Sequence, residues 1–233
     1  MVLVAHGSRD PRALKTVHAL MDRVRALRPS VPVRLGHIEL NEPLLPDTLA
    51  ALGNRPAVLV PLLLARGHHV KRDIPGAADA AGPHVRVAAP LGPHPLLAAT
   101  LHARLAEAGW PGDAPRRGTA VVLAAAGSRD PDSARDTRAT AALLAARLGV
   151  PVLPAYASAA GPTVPEAVRV LRAEGHTRIA LASCFTAPGR FASQCAQAAP
   201  WLAAAPLGAH EAMATLILHR YDRSLSAPAR AAA

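Results

Sequence analysis

The pentapeptide GSRDP occupies residues 7–11 and recurs 120 residues later, at 127–131. Two further stretches recur in the same order, at offsets of 119 and 116 residues: PLLPD at 43–47 as PTVPE at 162–166, and AAPLG at 88–92 as AAPLG at 204–208. Three matches in one order and at nearly one spacing indicate an internal duplication, which decides the architecture of the whole chain. The chain therefore contains two copies of one structural unit.

The boundary between the copies falls in a stretch with the composition of a linker. Residues 109–118 read GWPGDAPRRG, rich in the glycine and proline that interrupt regular structure. We predict a first domain over residues 1–110, a second over residues 119–222, and a disordered tail over residues 223–233.

Each copy alternates short apolar runs with helical patterns. Strands are predicted at residues 1–5, 31–38, 57–64, 85–89, 119–125, 150–156, 178–183 and 203–206. Asp10 and Pro11 begin the first helix, which runs to Leu27, because Asp caps a helix and Pro is tolerated at its first position. Further helices are predicted at 43–52, 73–81 and 95–108 and in the matching parts of the second copy. This order predicts an α/β fold of two tandem similar domains, each a parallel sheet flanked by helices, with a cleft between them.

The composition is that of a globular protein with an aliphatic core. Hydrophobic residues make up 51% of the chain, charged residues 18% and aromatic residues only 3%. No apolar run approaches the ~20 residues of a membrane span, and residues 2–5 are too short a run for a signal peptide. We therefore expect a cytoplasmic protein without a membrane partner. Cys184 and Cys195 have no CxxC partner and predict neither a disulfide framework nor a metal site.

The formal net charge of +10 favours an anionic ligand. The arginines are scattered along the chain, and few aromatic residues are present to stack on bases, so nucleic acid is not the expected partner. A polycarboxylate small molecule fits the charge equally well.

Three polar side chains follow the first three predicted strands. His6 follows the first, Glu39 ends the second, and His69 follows the third. Ligands bind beyond the carboxyl ends of parallel strands, and these three loops lie along one edge of the sheet. Two imidazoles and a carboxylate form a mixed nitrogen and oxygen site suited to a first-row divalent metal.

The duplication provides an internal comparison for these residues. In the second copy Ala126 aligns with His6, Ser158 with Glu39 and Phe191 with His69, so the candidate ligands are confined to the first copy. His94 and His210 occur in both copies, which indicates a structural role in a loop or helix cap. His37, His68, His84, His102 and His219 are interpreted as surface residues, although His68 adjoins the site. Taken alone, His6 is as compatible with an ordinary loop position as with a ligand.

Several residues beside the candidate ligands are suited to bind anions. The segment around Ser8 and Arg9 leads into a capped helix whose N–H groups can hold an anion. Lys71 and Arg72 can pair with carboxylates, and His68 adjoins His69. We predict these five residues to bind substrate.

Four motifs together resemble the sirohydrochlorin cobaltochelatase/ferrochelatase family. They are AHGSRDP at 5–11, EL at 39–40, HVKRDIP at 69–75 and PLGPHP at 90–95. The first half matches in order and spacing, and the second half resembles the degenerate second domain of two-domain members. The resemblance implies the class II chelatase fold and insertion of Co²⁺ or Fe²⁺ into sirohydrochlorin, for cobalamin or sirohaem.

In that family His6 and His69 correspond to metal ligands and proton acceptors, and Glu39 to a metal-site carboxylate. The metal is then a substrate, so no tightly bound cofactor is expected. The expected partners are the tetrapyrrole and the divalent metal, and a chain holding both domains is expected to act as a monomer.

Two other functions remain compatible with the sequence. One is a non-catalytic carrier of a tetrapyrrole or metal on the same scaffold. The other is a two-domain binding protein for a different anionic small molecule, in which the histidines play no part. The sequence also leaves the choice among Co²⁺, Fe²⁺ and Ni²⁺ open, because all three accept such ligands.

Overall fold

Two four-stranded parallel sheets form the framework of the protein. The computed structural model describes residues 1–111 and 117–226. The first half contains β1 (Val2–Ala5), α1 (Pro11–Leu27), β2 (Arg34–His37), α2 (Leu45–Ala50), β3 (Ala57–Pro61), a π-helical turn (His69–Asp73), α3 (Ile74–Ala81), β4 (Val85–Val87) and α4 (Pro95–Glu107). The second half contains β5 (Thr119–Ala125), α5 (Pro131–Leu148), β6 (Val152–Tyr156), α6 (Val164–Ala173), β7 (Arg178–Ser183), α7 (Arg190–Gln197), β8 (Leu202–Ala203) and α8 (Glu211–Ser226).

The two sheets have the same topology. Their strand orders are β2-β1-β3-β4 and β6-β5-β7-β8, with every pair parallel. The predicted α/β fold of two similar domains is therefore confirmed. The inner strands β1, β3 and β5 are short apolar runs buried along their whole length, as expected within a parallel sheet covered on both faces.

A continuous apolar core joins the halves. It contains Leu20 of α1, Leu101 of α4, Leu144 of α5 and Leu216 of α8, all fully buried. Because these helices carry the core from one sheet to the other, they form the layers between the sheets. The outer face of each sheet has its own smaller core, covered by α2 and α3 in the first half and by α6 and α7 in the second. None of the helices in the described ranges is long and apolar enough to span a membrane.

Matching caps begin the equivalent helices of the two halves. Asp10 accepts a hydrogen bond from the N–H of Arg12, and Asp130 accepts one from Asp132, both at 2.9 Å. The predicted cap role of the paired histidines is confirmed as well. His94 Nδ1 accepts from the N–H of Leu96 at 3.1 Å, and His210 Nδ1 accepts from that of Ala212 at 3.2 Å.

Two of the predicted boundaries that the structure corrects are explained by specific contacts. The helix expected from residue 43 begins at Leu45, because the Pro43 carbonyl accepts the N–H of His37 at 3.0 Å and keeps that segment beside β2. The expected tail from residue 223 is helical through Ser226. Asp222 binds Arg28 on α1, and the carbonyls of Ser224 and Leu225 accept from Arg86, so the helix end is fixed to the first half. Residues 112–116 of the expected linker and 227–233 of the expected tail lie outside the described residues.

Candidate metal centre in the interdomain cleft

A cavity of about 880 Å³ lies between the two halves, at the carboxyl ends of their strands. The first half contributes His6, Ser8, Arg9, Glu39, His68 and His69 to its wall. The second half contributes, among others, Ala126, Ser128, Ser158, Phe185, Arg190 and Phe191. The predicted ligands therefore face a wall with no imidazole among its described residues.

His6 projects into the cavity from the residue that follows β1. Its Nδ1 lies 3.3 Å from the Gly7 carbonyl oxygen and 3.5 Å from Glu39 Oε1. Two acceptors at Nδ1 favour the tautomer with the proton there, which leaves Nε2 as the nitrogen that can bind a metal. The side chains of His6 and Glu39 are 45% and 51% exposed, so both are open to a ligand.

Gly7 allows the loops after β1 and β2 to approach one another. The Glu39 N–H donates to the His6 carbonyl at 3.0 Å, which extends the strand pairing beyond the sheet. Gly7 has a φ of +102°, and a Cβ at this position would lie 1.8 Å from the Glu39 carbonyl oxygen. Only glycine fits this crossing, which sets Glu39 beside His6.

His69 begins the π-helical turn and lies edge-on to His6. The two ring centroids are 4.7 Å apart at an interplanar angle of 88°. His69 Nδ1 lies 2.5 Å from Asp73 Oδ2, and His68 Nε2 lies 3.5 Å from Asp73 Oδ1. A carboxylate at Nδ1 orients the ring of His69 and leaves its Nε2 free for a metal. Sequence reasoning missed Asp73, although its spacing of four from His69 was an available signal.

The predicted ligands lie together without forming a closed metal cage. Within residues 1–111 and 117–226, no group of three or more His, Cys, Asp or Glu side chains already has the geometry to hold a metal. The arrangement consists of two imidazoles with a carboxylate beside one of them. Such a site keeps coordination positions open, as transfer of a metal to another ligand set requires.

Three of the predicted anion-binding residues lie where the sequence placed them. Ser8, Arg9 and His68 line the cavity. The Ser8 hydroxyl accepts the N–H of Asp10 at 3.1 Å, and its own N–H donates to Asn41 Oδ1 at 2.7 Å. Arg9 is exposed at the rim, where its guanidinium can meet a carboxylate.

Lys71 and Arg72, also predicted to bind substrate, are not among the residues that line the cavity. Lys71 Nζ is 2.7 Å from Asp130 Oδ1 and 2.8 Å from Asp132 Oδ2, both at the start of α5. Arg72 is exposed on the π-helical turn, and Val70 is the last residue of this segment that lines the cavity. The partners of Lys71 lie 59 and 61 positions further along the chain, so no local sequence pattern indicates the pairing.

His37 was wrongly interpreted as a surface residue. It is 2% exposed, lines the cavity, and places Nδ1 3.2 Å from the Pro43 carbonyl oxygen. Burial lowers the pKa of its imidazole, so it stays neutral near pH 7. Its place as the last residue of β2, next to the candidate ligands, was the signal that could have identified it.

The second half keeps the scaffold and lacks the ligands, as its alignment with the first half predicts. The Ser158 N–H donates to the Ala126 carbonyl at 3.0 Å, the equivalent of the bond from Glu39 to His6. A Cβ on Gly127 would lie 1.8 Å from the Ser158 carbonyl oxygen, as at Gly7. Phe191 is 38% exposed in the cavity, at the position equivalent to His69.

Cys184 is expected to be inert although it lines the cavity. It is 7% exposed, and burial raises the pKa of its thiol to about 12, against an ordinary value of 9.0. The thiolate fraction near neutral pH is therefore about a thousandfold lower than for a free cysteine. Cys195 is likewise buried, at 3% exposed, so native protein at pH 8 should react negligibly with an aromatic disulfide reagent, whereas two thiols should react after unfolding in guanidinium. Rapid reaction of one thiol in the native protein would contradict this.

The chain is similar to curated chelatases over part of its length. A sirohydrochlorin ferrochelatase of Bacillus subtilis is 32% identical over 176 residues, which are 71% of this chain and 66% of that protein. A sirohydrochlorin cobaltochelatase of Methanococcus aeolicus is 37% identical over 78 residues, which are 32% of this chain and 54% of that protein. The aligned part of the chain thus spans between about half and two thirds of the length of these curated relatives.

Two solved structures share the fold over nearly the whole chain. SirB from Bacillus subtilis with Fe³⁺ has a TM-score of 0.75 at 25% identity, covering 97% of this chain and 94% of that one. CbiX, described as the terminal enzyme for biosynthesis of sirohaem in denitrifying bacteria, has a TM-score of 0.72 at 25% identity, covering 97% and 99%. The CbiX family model matches residues 1–108 and 120–224, so it includes both halves and the segments that bear His6, Glu39 and His69. With both of its halves matched, the chain belongs to the CbiX family.

Proposed function

We propose that this protein inserts Co²⁺ or Fe²⁺ into sirohydrochlorin, in cobalamin or sirohaem synthesis. The observation that carries the proposal is the pair of edge-on imidazoles, His6 and His69, beside Glu39 on one wall of the cleft. The activities of the ferrochelatase and cobaltochelatase relatives support it. The metal is a substrate in this reaction, so the site has to release it as well as bind it.

The cavity has room for a large ligand between two walls. Its volume of about 880 Å³ lies in the range of small-molecule sites, and both halves supply walls. Arg9 from one half and Arg190 from the other are exposed at the cavity and can pair with peripheral carboxylates. Phe191 offers an aromatic face opposite the histidines, on which a macrocycle can stack.

The side chains then divide the chemistry of insertion. His6 and His69 present Nε2 to the metal. Neutral imidazole binds first-row divalent ions less tightly than a thiolate does, so the metal can be released. Two pyrrole N–H protons must leave as the metal enters, and each Nε2 becomes free to accept one when it releases the metal. The carboxylates of Asp73 and Glu39, at 2.5 Å and 3.5 Å from the two rings, stabilise the imidazolium that forms. Binding of the periphery can supply the energy to bend the ring toward the metal.

The test is anaerobic and follows the tetrapyrrole absorbance with excess sirohydrochlorin and either Co²⁺ or Fe²⁺. We expect many turnovers per protein at a rate well above a protein-free control, and the faster metal identifies the preference. A rate equal to the control, in protein that is folded by circular dichroism, would reject the proposal. Conversion that stops after one equivalent would instead support a carrier.

We also propose that the chain acts as a monomer in the cytoplasm, without a nucleic-acid or membrane partner. The monomer is supported by the cavity, because one chain supplies both of its walls, and by the apolar core that joins the halves. A stable dimer in sedimentation would contradict it.

A further inference from the structure

The segment between β3 and the π-helical turn carries His68 and His69, and the second half of the chain holds it in place. Asp136 on α5 accepts three kinds of hydrogen bond from Arg66: from its backbone N–H at 2.9 Å, from Nε at 2.9 Å and from Nη2 at 2.6 Å. The Asp136 side chain is only 3% exposed, whereas that of Arg66 is 43% exposed. A buried carboxylate that binds both backbone and guanidinium fixes the path of the chain at this residue.

A second contact holds the other end of the segment. Lys71 Nζ bridges Asp130 Oδ1 and Asp132 Oδ2 at the start of α5. Residues 66 and 71 therefore hold His68 and His69 between two attachments to the same helix. We call Arg66 and Lys71, with Asp130, Asp132 and Asp136, the clamp.

The backbone between the attachments lies close against the second half. A Cβ on Gly67 would lie 3.4 Å from Ser128 Oγ. The Thr186 hydroxyl donates to the Leu62 carbonyl at 2.9 Å, just after β3. The segment thus has little freedom to shift while the clamp is intact.

Apart from Asp130, the residues of the clamp are not repeated at the equivalent positions of the duplication. The residues equivalent to Arg66 and Lys71 are Pro188 and Ser193, which carry no charge. The residues equivalent to Asp136, Asp132 and Asp130 are Thr16, Arg12 and Asp10, and Asp10 pairs with Arg12 in its own half. Of these two equivalent loops, the one that bears the histidines is anchored by charge to the opposite half in the described residues.

We propose that Asp136, Asp130 and Asp132 are positioning residues that hold His69 in register with His6 on the first-half wall of the cleft. The inference rests on the proposed function for its kinetic consequences, but its geometry is independent of it. An ion pair whose cation is 43% exposed contributes little net stability, so a geometric role gives this one a reason to be present. The second half, which lacks the candidate metal ligands, then serves to position His69 of the first half.

Asp136→Asn is the first test, because it removes the charge and keeps the shape. Groups that hydrogen-bond directly to metal ligands are typically worth ~10–100-fold in metal affinity or activity, and Asp136, which acts on His69 through Arg66, should lie at the lower end of that range. We expect the kcat of insertion to fall in that range and Co²⁺ binding to the protein alone, followed by calorimetry, to weaken. The KM for the tetrapyrrole should change little, since none of the three aspartates lines the cavity.

Asp222→Asn is the matched control. Asp222 pairs with Arg28 through both carboxylate oxygens and also joins the two halves, on helices that do not carry the histidine segment. It should lower the thermal midpoint without changing kcat or Co²⁺ affinity. Equal kinetic losses in both variants would show that the clamp contributes only general stability, and would overturn the proposal.

Lys71→Gln keeps the proposal testable if Asp136→Asn does not fold, because Lys71 is partly exposed. The clamp predicts that Lys71→Gln and the double variant Asp130→Asn/Asp132→Asn share one defect in kcat and Co²⁺ affinity, with no further loss on combination. If Lys71 instead bound substrate directly, Lys71→Gln alone would raise the KM for the tetrapyrrole, which would overturn the positioning role.

Failure of the positioning role can be separated from failure of the proposed function. If the wild type shows no turnover but Asp136→Asn still weakens Co²⁺ binding relative to Asp222→Asn, the positioning role stands and the chelatase proposal falls. If the wild type turns over and the clamp variants match Asp222→Asn in kcat and Co²⁺ affinity, the positioning role falls and the chelatase proposal stands.

Discussion

Replacing both His6 and His69 by alanine should lower the rate of metal insertion at least ~10²-fold and leave the fold intact. The two rings are the nitrogen donors of the candidate site, and no other imidazole among the described residues lies opposite them. Their loss removes both the metal ligands and the acceptors for the pyrrole protons. Both side chains are at least a third exposed, so truncation leaves no large buried void.

The single alanine variants of His6 and His69 separate metal binding from tetrapyrrole binding. An exposed histidine outside the cavity provides the control. Each single alanine variant should weaken Co²⁺ binding, while tetrapyrrole binding, measured by absorbance titration, should persist. His18→Ala on α1 removes an exposed imidazole outside the cavity wall and should leave the rate unchanged. A double variant that inserts metal at the wild-type rate would remove these residues from the mechanism. Loss of metal retention without any wild-type turnover would favour a carrier.

Gly7→Ala should destabilise the protein by roughly 3–5 kcal/mol and also impair metal insertion. The new methyl group would meet the backbone carbonyl of Glu39 at 1.8 Å, and the backbone φ of +102° is unfavourable for any other residue. The carbonyl belongs to a loop that cannot swing aside without breaking its bond to His6. The free energy of unfolding comes from urea denaturation of the variant and the wild type.

Alanine variants of three further glycines separate the steric clash from the backbone cost of a positive φ. Gly127→Ala repeats the clash in the second half, so it should destabilise equally while the ligand loop stays intact. Gly53 has a φ of +57° and nothing near its Cβ position, so its alanine variant isolates the backbone cost of about 1–2 kcal/mol. Gly76 in α3 has open space, and Gly76→Ala should stabilise slightly. A Gly7→Ala variant as stable as Gly53→Ala would refute the close packing of the two loops.

The duplicated GSRDP motif predicted the architecture because it repeats a complete helix start. Asp10 and Asp130 cap equivalent helices, and the alternation of apolar runs around them implies parallel strands with crossovers. The convergence of His6, Glu39 and His69 followed from the rule that loops at the carboxyl ends of parallel strands share one edge. Their counterparts in the second half could likewise be identified from the spacing of the repeat.

The residues that the sequence could not place are those whose partners are distant in the chain. Lys71 lies near His69 in sequence, which made it a candidate for substrate binding, but its ammonium is paired with Asp130 and Asp132. Asp136 belongs to a helix that gave no sign of a role in the site, yet it fixes Arg66. These ion pairs depend on how the two halves pack, and that packing is determined by aliphatic surfaces with no specific motif.

The most direct measurement is the position of cobalt in crystals of the protein soaked anaerobically with Co²⁺, located by anomalous scattering. We predict one strong peak in the cleft within coordination distance, ~2 Å, of Nε2 of both His6 and His69. The peak should be absent from crystals of the variant with both histidines replaced by alanine. A cobalt ion bound elsewhere on the chain, with the two imidazoles unoccupied, would contradict the account.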